Sequence, residues 1–384
     1  MRRETVALAT RLARPWGDPA GPVTPPIHQT SLFTFDSYAA FEARMAGTSD
    51  EPLYTRVQNP TVSAFESMMA DLEGGEAAVG FASGMGAISA TLLALVRPGM
   101  RIACVEHVYP DAYRLLERML RPMGVEVTYH SPRGLAEEPD LLQGVDLAYL
   151  ESPTSMMLEV LDLPRIAGHA KRHGALTVID NSWASPLHQR PLESGIDVVL
   201  HSASKYISGH SDTVAGVVVS SASLIQRLRD LTLPYLGAKL APFEAWLLIR
   251  GLRTLVPRMR MHEATANLFV DRLATLREVT RVRSPGPNAA PGLLGRSGLL
   301  SIELAEGIDI TRFADGLRHF RLGVSWGGFE SLVVPAAITL KQAGEQNSAQ
   351  RFGVPQRLVR LSLGLEDAED LWTDLVGALE AAAD

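Results

Sequence analysis

The sequence predicts an α/β fold: a mainly parallel sheet covered by helices, preceded by an irregular arm and followed by a smaller α+β unit. Three observations predict it. Short apolar runs alternate with helical patterns from about residue 59 to 247, Gly and Pro mark the joints, and after about 248 the strict alternation stops. At 384 residues the chain exceeds the length over which one core keeps growing, which also favours two domains. The expected division is an arm over 1–58, a larger ligand-binding domain over 59–247 and a C-terminal domain over 248–384.

In order along the chain, the first 58 residues hold little periodicity. Pro, Gly and small polar residues in RPWGDPAGPVTPPIHQTSLF break both helix and strand. Phe33, Phe35, Tyr38 and Phe41 are too many aromatics for a solvated tail, so the arm is expected to lie on a neighbouring subunit. A mobile tail is the alternative. TVSAFESMMADLE places Val62, Phe65, Met69 and Leu72 at helical spacing. EAAVGFAS, RIACVEH, VEVTYH, VDLAYLES, ALTVID, DVVLHSAS and TVAGVVVSS then read as seven strands. Helical patterns separate most of them: GMGAISATLLALV, DAYRLLERMLRPMG and LPRIAGHAKRHG. Beyond them come one long helical pattern over 242–273, the strand-like GLLSIELA and RLVRLSLGL, and a terminal amphipathic helix in DLWTDLVGALEAAA.

Composition excludes several function classes. With 46% hydrophobic and 21% charged residues the chain is globular rather than disordered. A net charge of −7 leaves no basic excess for nucleic acid or a membrane surface. One cysteine, Cys104, removes internal disulfides and multi-cysteine metal sites, and the ten histidines form no metal constellation. No uncharged run reaches the ~18 residues of a membrane helix. The N-terminus opens basic without an apolar core, and Trp16, Asp18 and Pro19 interrupt it, so a soluble cytoplasmic protein is expected. Of the 36 basic residues only four are lysine (Lys171, Lys205, Lys239 and Lys341), which leaves four candidates for covalent lysine chemistry.

Three segments carry candidate chemistry. In DVVLHSASKYISGHSDTVAG a strand runs into a Ser-rich turn that delivers Lys205 between Ser202, Ser204 and Gly209. A lysine that forms a Schiff base with pyridoxal phosphate needs a fixed strand end for its amine and nearby donors for the phosphate. An ordinary surface lysine on a turn is the alternative. ALTVID ends in Asp180, where open α/β sheets bind ligands; there a carboxylate can pair with a protonated pyridine nitrogen or merely cap the next helix. FASGMGAI sets Ser83, Gly84, Met85 and Gly86 between a strand and an apolar helix, where backbone N–H groups can meet an anion. Neither a Walker loop nor a complete GxGxxG is present.

Together these segments resemble the Cys/Met-metabolism family of pyridoxal-phosphate enzymes, which includes cystathionine β- and γ-lyases, γ-synthases and methionine γ-lyases. The matches run in order through YTR, SGMGAI, ESP, DNSW, SASKYISGHSD, RGLRTL and SWGGFESL to RLVRLSLGL. The resemblance implies the fold type I transferase-like architecture, pyridoxal 5′-phosphate as cofactor and a small amino-acid substrate. It implies that Lys205 is the Schiff-base lysine and general acid/base, and that Asp180 pairs with the pyridine nitrogen. Ser83, Ser202, Ser204, Gly84 and Met85 are implied around the phosphate. Tyr109 corresponds to the tyrosine that stacks on the cofactor ring and can assist proton transfer. Arg360 is implied to clamp the substrate carboxylate, with Ser325 beside it. Tyr54 and Arg56 resemble the pair contributed by a neighbouring subunit, Tyr54 also reaching the substrate, which implies a shared active site and a dimer of dimers.

The sequence also departs from the family. After the stacking tyrosine it has Pro110-Asp111-Ala112 in place of the usual glycine-rich turn, and Ser155 stands where the family has an asparagine. Leu53 and Val324 occupy positions that are often acidic in the γ-cleaving members that act on cystathionine, which favours a small or uncharged leaving group; the nearby Glu51 could compensate. The expectation is a lyase performing β- or γ-elimination, most often with sulfur leaving. A γ-replacement transferase and a non-catalytic cofactor-binding relative are the alternatives.

Overall fold

The computed structural model describes residues 7–14, 21–343 and 347–383, so Trp16, Asp18 and Pro19 lie outside the described residues. Strands β1 (Ala77–Phe81), β2 (Arg101–Val105), β3 (Glu126–His130), β4 (Leu147–Glu151), β5 (Leu176–Asp180), β6 (Val198–Ser202) and β7 (Gly216–Ser220) form one sheet in the order β1-β7-β6-β5-β4-β2-β3. Strands β2 to β6 run parallel, and β7 is antiparallel to both its neighbours. This is the mainly parallel, seven-stranded α/β sheet expected from the sequence. Helices on both faces explain why β4, β6 and β7 read as unbroken apolar runs. One apolar cluster holds Ile88, Leu92, Cys104 and Ile166; a second, on the other side, holds Phe65, Met69, Leu252 and Met259.

Local signals set the helices. Pro60–Glu73 starts on Asn59, whose side chain accepts the Thr61 N–H, has Pro60 in its first turn and stops at Gly74 in the left-handed region. The helix Gly84–Leu95 starts on Ser83, whose side chain accepts the Gly86 N–H. Its N-terminus docks on β7 only because residue 216 is glycine. A Cβ there would lie 2.2 Å from the Ser83 carbonyl oxygen, a backbone atom with no freedom to move.

The C-terminal part differs from the sequence reading in two places. The single helical pattern over 242–273 is two helices, Pro242–Arg253 and Leu255–Leu273. Pro257 has no N–H to bond the carbonyl of Arg253, so the ladder breaks there. The second difference is a fuller sheet. Strands β8 (Val279–Arg283), β9 (Leu299–Leu304), β10 (Arg321–Leu322), β11 (Leu332–Pro335) and β12 (Leu358–Ser362) lie in the order β10-β11-β12-β9-β8. Only the segments of β9 and β12 stood out in sequence, because β8 is partly exposed along its length, β10 is two exposed residues and β11 is four residues buried only at alternate positions. Residues Leu248 to Met259 pack with the larger unit, whereas Ala266, Phe269 and Leu273 join the C-terminal core. We therefore propose that the division falls inside the second helix, between 259 and 266, rather than at 247/248. Within the arm, Leu8–Leu12 and Tyr38–Met45 are short helices, and Phe35 stacks on Phe41 at 5.0 Å. Among the described residues no helix is long and apolar enough to cross a membrane.

Candidate active site

Parallel strands β4, β5 and β6 end side by side, and their last residues are Glu151, Asp180 and Ser202. Such a row of carboxyl ends is where open α/β sheets bind ligands. Asp180 is buried. Its Oδ1 accepts the Ser182 N–H at 2.9 Å and the Ser182 hydroxyl at 2.5 Å, while Oδ2 receives no hydrogen bond from the described residues. Burial raises its pKa, and the Ser182 bonds together with His201 and Lys205 act in the opposite direction.

Beyond β6 the chain turns, the Lys205 N–H donating to the Ser202 carbonyl at 3.2 Å, and presents the lysine to the C-terminal unit. Its Nζ donates to Ser325 Oγ and lies 5.2 Å from the Trp326 ring centroid. From β12, Arg360 donates Nη2–H to the Ser325 carbonyl at 3.2 Å. Ser325 is therefore the meeting point of lysine and arginine, and it sits at φ +81, a conformation that a non-glycine residue seldom adopts. Burial lowers the Lys205 amine to about 8, helped by the Arg360 charge and opposed by Asp180. Burial likewise lowers Arg360 to about 10.

A second group of donors faces the same strand ends. The N–H groups of Gly84 and Met85, in the first turn of their helix, find no acceptor among the described residues, and neither does the Ser202 hydroxyl a partner. A Cβ on Gly84 would lie 2.9 Å from Ser202 Oγ, so glycine is needed for this approach. Ser83 spends its hydroxyl on the helix cap, and Ser204 exchanges hydrogen bonds with the Ala215 backbone at 2.9 and 3.2 Å. Tyr109 is 39% exposed; its N–H donates to Glu151 Oε2 at 2.7 Å and its hydroxyl to Asp111 Oδ2 at 3.0 Å.

Tyr54 and Arg56 are not brought to this cluster within the chain. Arg56 donates to the Pro234 carbonyl at 2.7 Å and lies over the Tyr54 ring, and both line an open cavity of about 490 Å³ with Thr30, Ser31 and Lys239.

The family profile described as Cys/Met metabolism PLP-dependent enzyme matches residues 9–380. The chain belongs to this family. It is 38% identical to an L-methionine gamma-lyase of Pseudomonas putida over 98% of both chains. It is 35% identical to a cystathionine beta-lyase of Lactococcus lactis subsp. cremoris over 94% of both. Among solved structures, a cystathionine gamma synthase from Xanthomonas oryzae pv. oryzae, in complex with aminoacrylate and cysteine, superposes with a TM-score of 0.89 at 36% identity, covering 98% of each chain.

The site fits the pyridoxal 5′-phosphate of this family. Two orphaned N–H groups and a free hydroxyl converge at a helix N-terminus, as a phosphate requires. The free oxygen of a buried carboxylate suits a protonated ring nitrogen, and a lysine with a depressed pKa suits a carbonyl carbon.

Glu151 was missed in the sequence. It lies in register with Asp180, accepts the Ser155 hydroxyl at 2.8 Å as well as the Tyr109 N–H, and is pushed up to about 8 by burial and by the Asp180 charge. The available signal was that VDLAYLE, like ALTVID, is an apolar strand ending in a carboxylate.

A protonated amine cannot attack a carbonyl. The cofactor-free protein should therefore take up pyridoxal 5′-phosphate with a rate that climbs with pH to a plateau, with a midpoint near 8 rather than the ordinary 10.5. In Arg360→Gln the midpoint moves upward, since a lost neighbouring cation favours the charged amine. Stopped-flow absorbance at a series of pH values checks this; a midpoint near 10.5, or one indifferent to Arg360, would contradict the electrostatic account.

Proposed function

We propose that the protein is a pyridoxal-phosphate-dependent lyase that eliminates a sulfur-linked group from the β- or γ-carbon of a small amino acid. The observation that carries this reading is the Lys205–Ser325–Arg360 junction, which holds a proton-accepting amine beside a carboxylate-binding guanidinium. Bound here, the cofactor supplies an electron sink that makes a Cα proton removable. Arg360 binds and orients the α-carboxylate. Lys205, with a pKa near 8, takes the proton from Cα and returns one to a neighbouring carbon. Asp180 would keep a proton on the ring nitrogen, Gly84, Met85 and Ser202 would hold the phosphate, and Tyr109 would help to hold the ring. Ser83 and Ser204 shape that cradle by fixing the backbone around it.

Leu53 and the 85% exposed Val324 offer a leaving group no counter-charge, which supports methionine- or cysteine-type substrates, or a halide, over one with a distal ammonium. The likeness to a cystathionine gamma synthase supports γ-replacement as the second reading. Incubation with methionine, cysteine, cystathionine and a γ-chloro amino acid separates the two. Elimination yields ammonia and a keto acid, with cystathionine the poorer substrate. A new amino acid formed from an added thiol, without keto acid, would establish replacement instead.

Assembly as a cytoplasmic homotetramer, a dimer of dimers with shared sites, completes the proposal. Tyr38, Tyr235 and Phe243 are 82%, 77% and 51% exposed on the single chain, a distribution that supports a covering subunit. Tyr54 and Arg56 would then serve the neighbour's phosphate and substrate. Mixing inactive Arg56→Ala with inactive Lys205→Ala subunits should restore about a quarter of wild-type activity, because half the dimers are mixed and each regains one site of two. No recovery despite proven subunit exchange would assign Arg56 to its own chain's site.

A further inference from the structure

At Tyr109 a carboxylate from the next turn of chain touches the tyrosine. Pro110 starts the helix Pro110–Leu115 immediately after Tyr109, so Asp111 stands in its first turn. Arg114, one turn on, donates Nη1–H to Asp111 Oδ1 at 2.5 Å, and its Nη2 reaches Gln342 Oε1 at 2.5 Å. That grip leaves Oδ2, which accepts the Tyr109 hydroxyl at 3.0 Å. Meanwhile the Tyr109 N–H is fastened to Glu151 at 2.7 Å. Both ends of the tyrosine are thus tied to carboxylates, one from its own helix and one from β4.

We propose that Asp111 is a positioning residue that fixes the Tyr109 hydroxyl as a donor and keeps the phenol out of proton transfer, leaving the Cα proton to Lys205. The proposal rests on the lyase reading above and deepens it. A phenol whose proton is already directed at an anion has no proton to lend a leaving group without breaking that bond. Its conjugate base would face Asp111 across a hydrogen-bond distance, with two like charges in contact. The charged groups facing Tyr109 are Asp111 on its own helix, Glu151 on β4, Asp180 on β5 and Arg360 on β12. Three of the four are carboxyl groups. Burial and then Asp111 push the phenol up to about 12, whereas the amine of Lys205 comes down to about 8, so at neutral pH only the lysine is poised to act as a base.

Two measurements on the holoenzyme test this. The first follows the tyrosinate ultraviolet band against pH, with Tyr109→Phe subtracted in each background to isolate one phenol. In Asp111→Asn, which keeps the shape and removes the charge, the Tyr109 midpoint should fall by about 1 unit or more. Asp111→Glu, which keeps the charge, should stay with wild type. The second is kcat of Tyr109→Phe with the amino acid that gives keto acid fastest. A general acid or base contributes about 100-fold or more, so this variant should lose less than that. An unchanged midpoint in Asp111→Asn, or a loss of about 100-fold or more in a Tyr109→Phe protein that still binds cofactor, overturns the proposal. The titration needs no turnover, so it stands apart from the lyase reading: absence of keto acid sinks that reading alone.

Discussion

Two buried carboxylates end neighbouring parallel strands, and the site is organised around keeping them from both being charged and unpaired. Glu151 and Asp180 are register partners on β4 and β5, and adjacent strands lie only about 4.8 Å apart. The Asp180 charge therefore disfavours ionisation of Glu151. Burial is the larger cause of the rise of Glu151 toward 8, and the Asp180 charge adds to it. The donors are apportioned accordingly: Ser182 gives two hydrogen bonds to Asp180, while the Tyr109 N–H and Ser155 serve Glu151. Behind Asp180, fully buried His201 pairs with Glu73, which also accepts an Asn181 N–H. His201 adds a cation-compatible neighbour on the inner side, and Lys205 one on the outer side.

The lysine is reached from two units at once. Lys205 leaves the strand row on a turn of the large sheet, but the groups that hold its amine, Ser325 and Trp326, come from the C-terminal unit. Arg360 arrives on β12 and closes the junction through the Ser325 carbonyl. Gly327 permits this docking, because a Cβ there would stand 3.0 Å from the Tyr206 backbone nitrogen. A proton-accepting amine and an anion-binding guanidinium are thus brought together by packing between units rather than by a contiguous motif, and the guanidinium disfavours the charged form of the amine.

Much of this was legible in the sequence. Buried parallel strands need helices on both faces, so their apolar runs announce themselves, and a residue that ends such a run lies in the crevice. Asp180 ends such a run, and Lys205 follows one on a Ser-rich turn. Glu151 carries the same signature but became visible only through register, which is a pairing between distant segments. The break at Thr254 was hidden because Pro257, tolerated in the first turn of a new helix, looks like a residue inside a longer one. Ser204 illustrates the opposite limit: its place beside the lysine suggests a ligand, whereas its hydroxyl is occupied by the Ala215 backbone. Tyr54 and Arg56 meet no strand end of their own chain, and a single sequence does not reveal which copy a residue serves.

The central claim is that one lysine of four carries the cofactor. Borohydride reduction of the holoenzyme freezes the lysine–cofactor bond, and peptide mapping by mass spectrometry then locates it. The account predicts the added mass on the peptide containing Lys205, in near-stoichiometric yield and absent without borohydride. The same mass on Lys171, Lys239 or Lys341, with Lys205 unmodified, would contradict it.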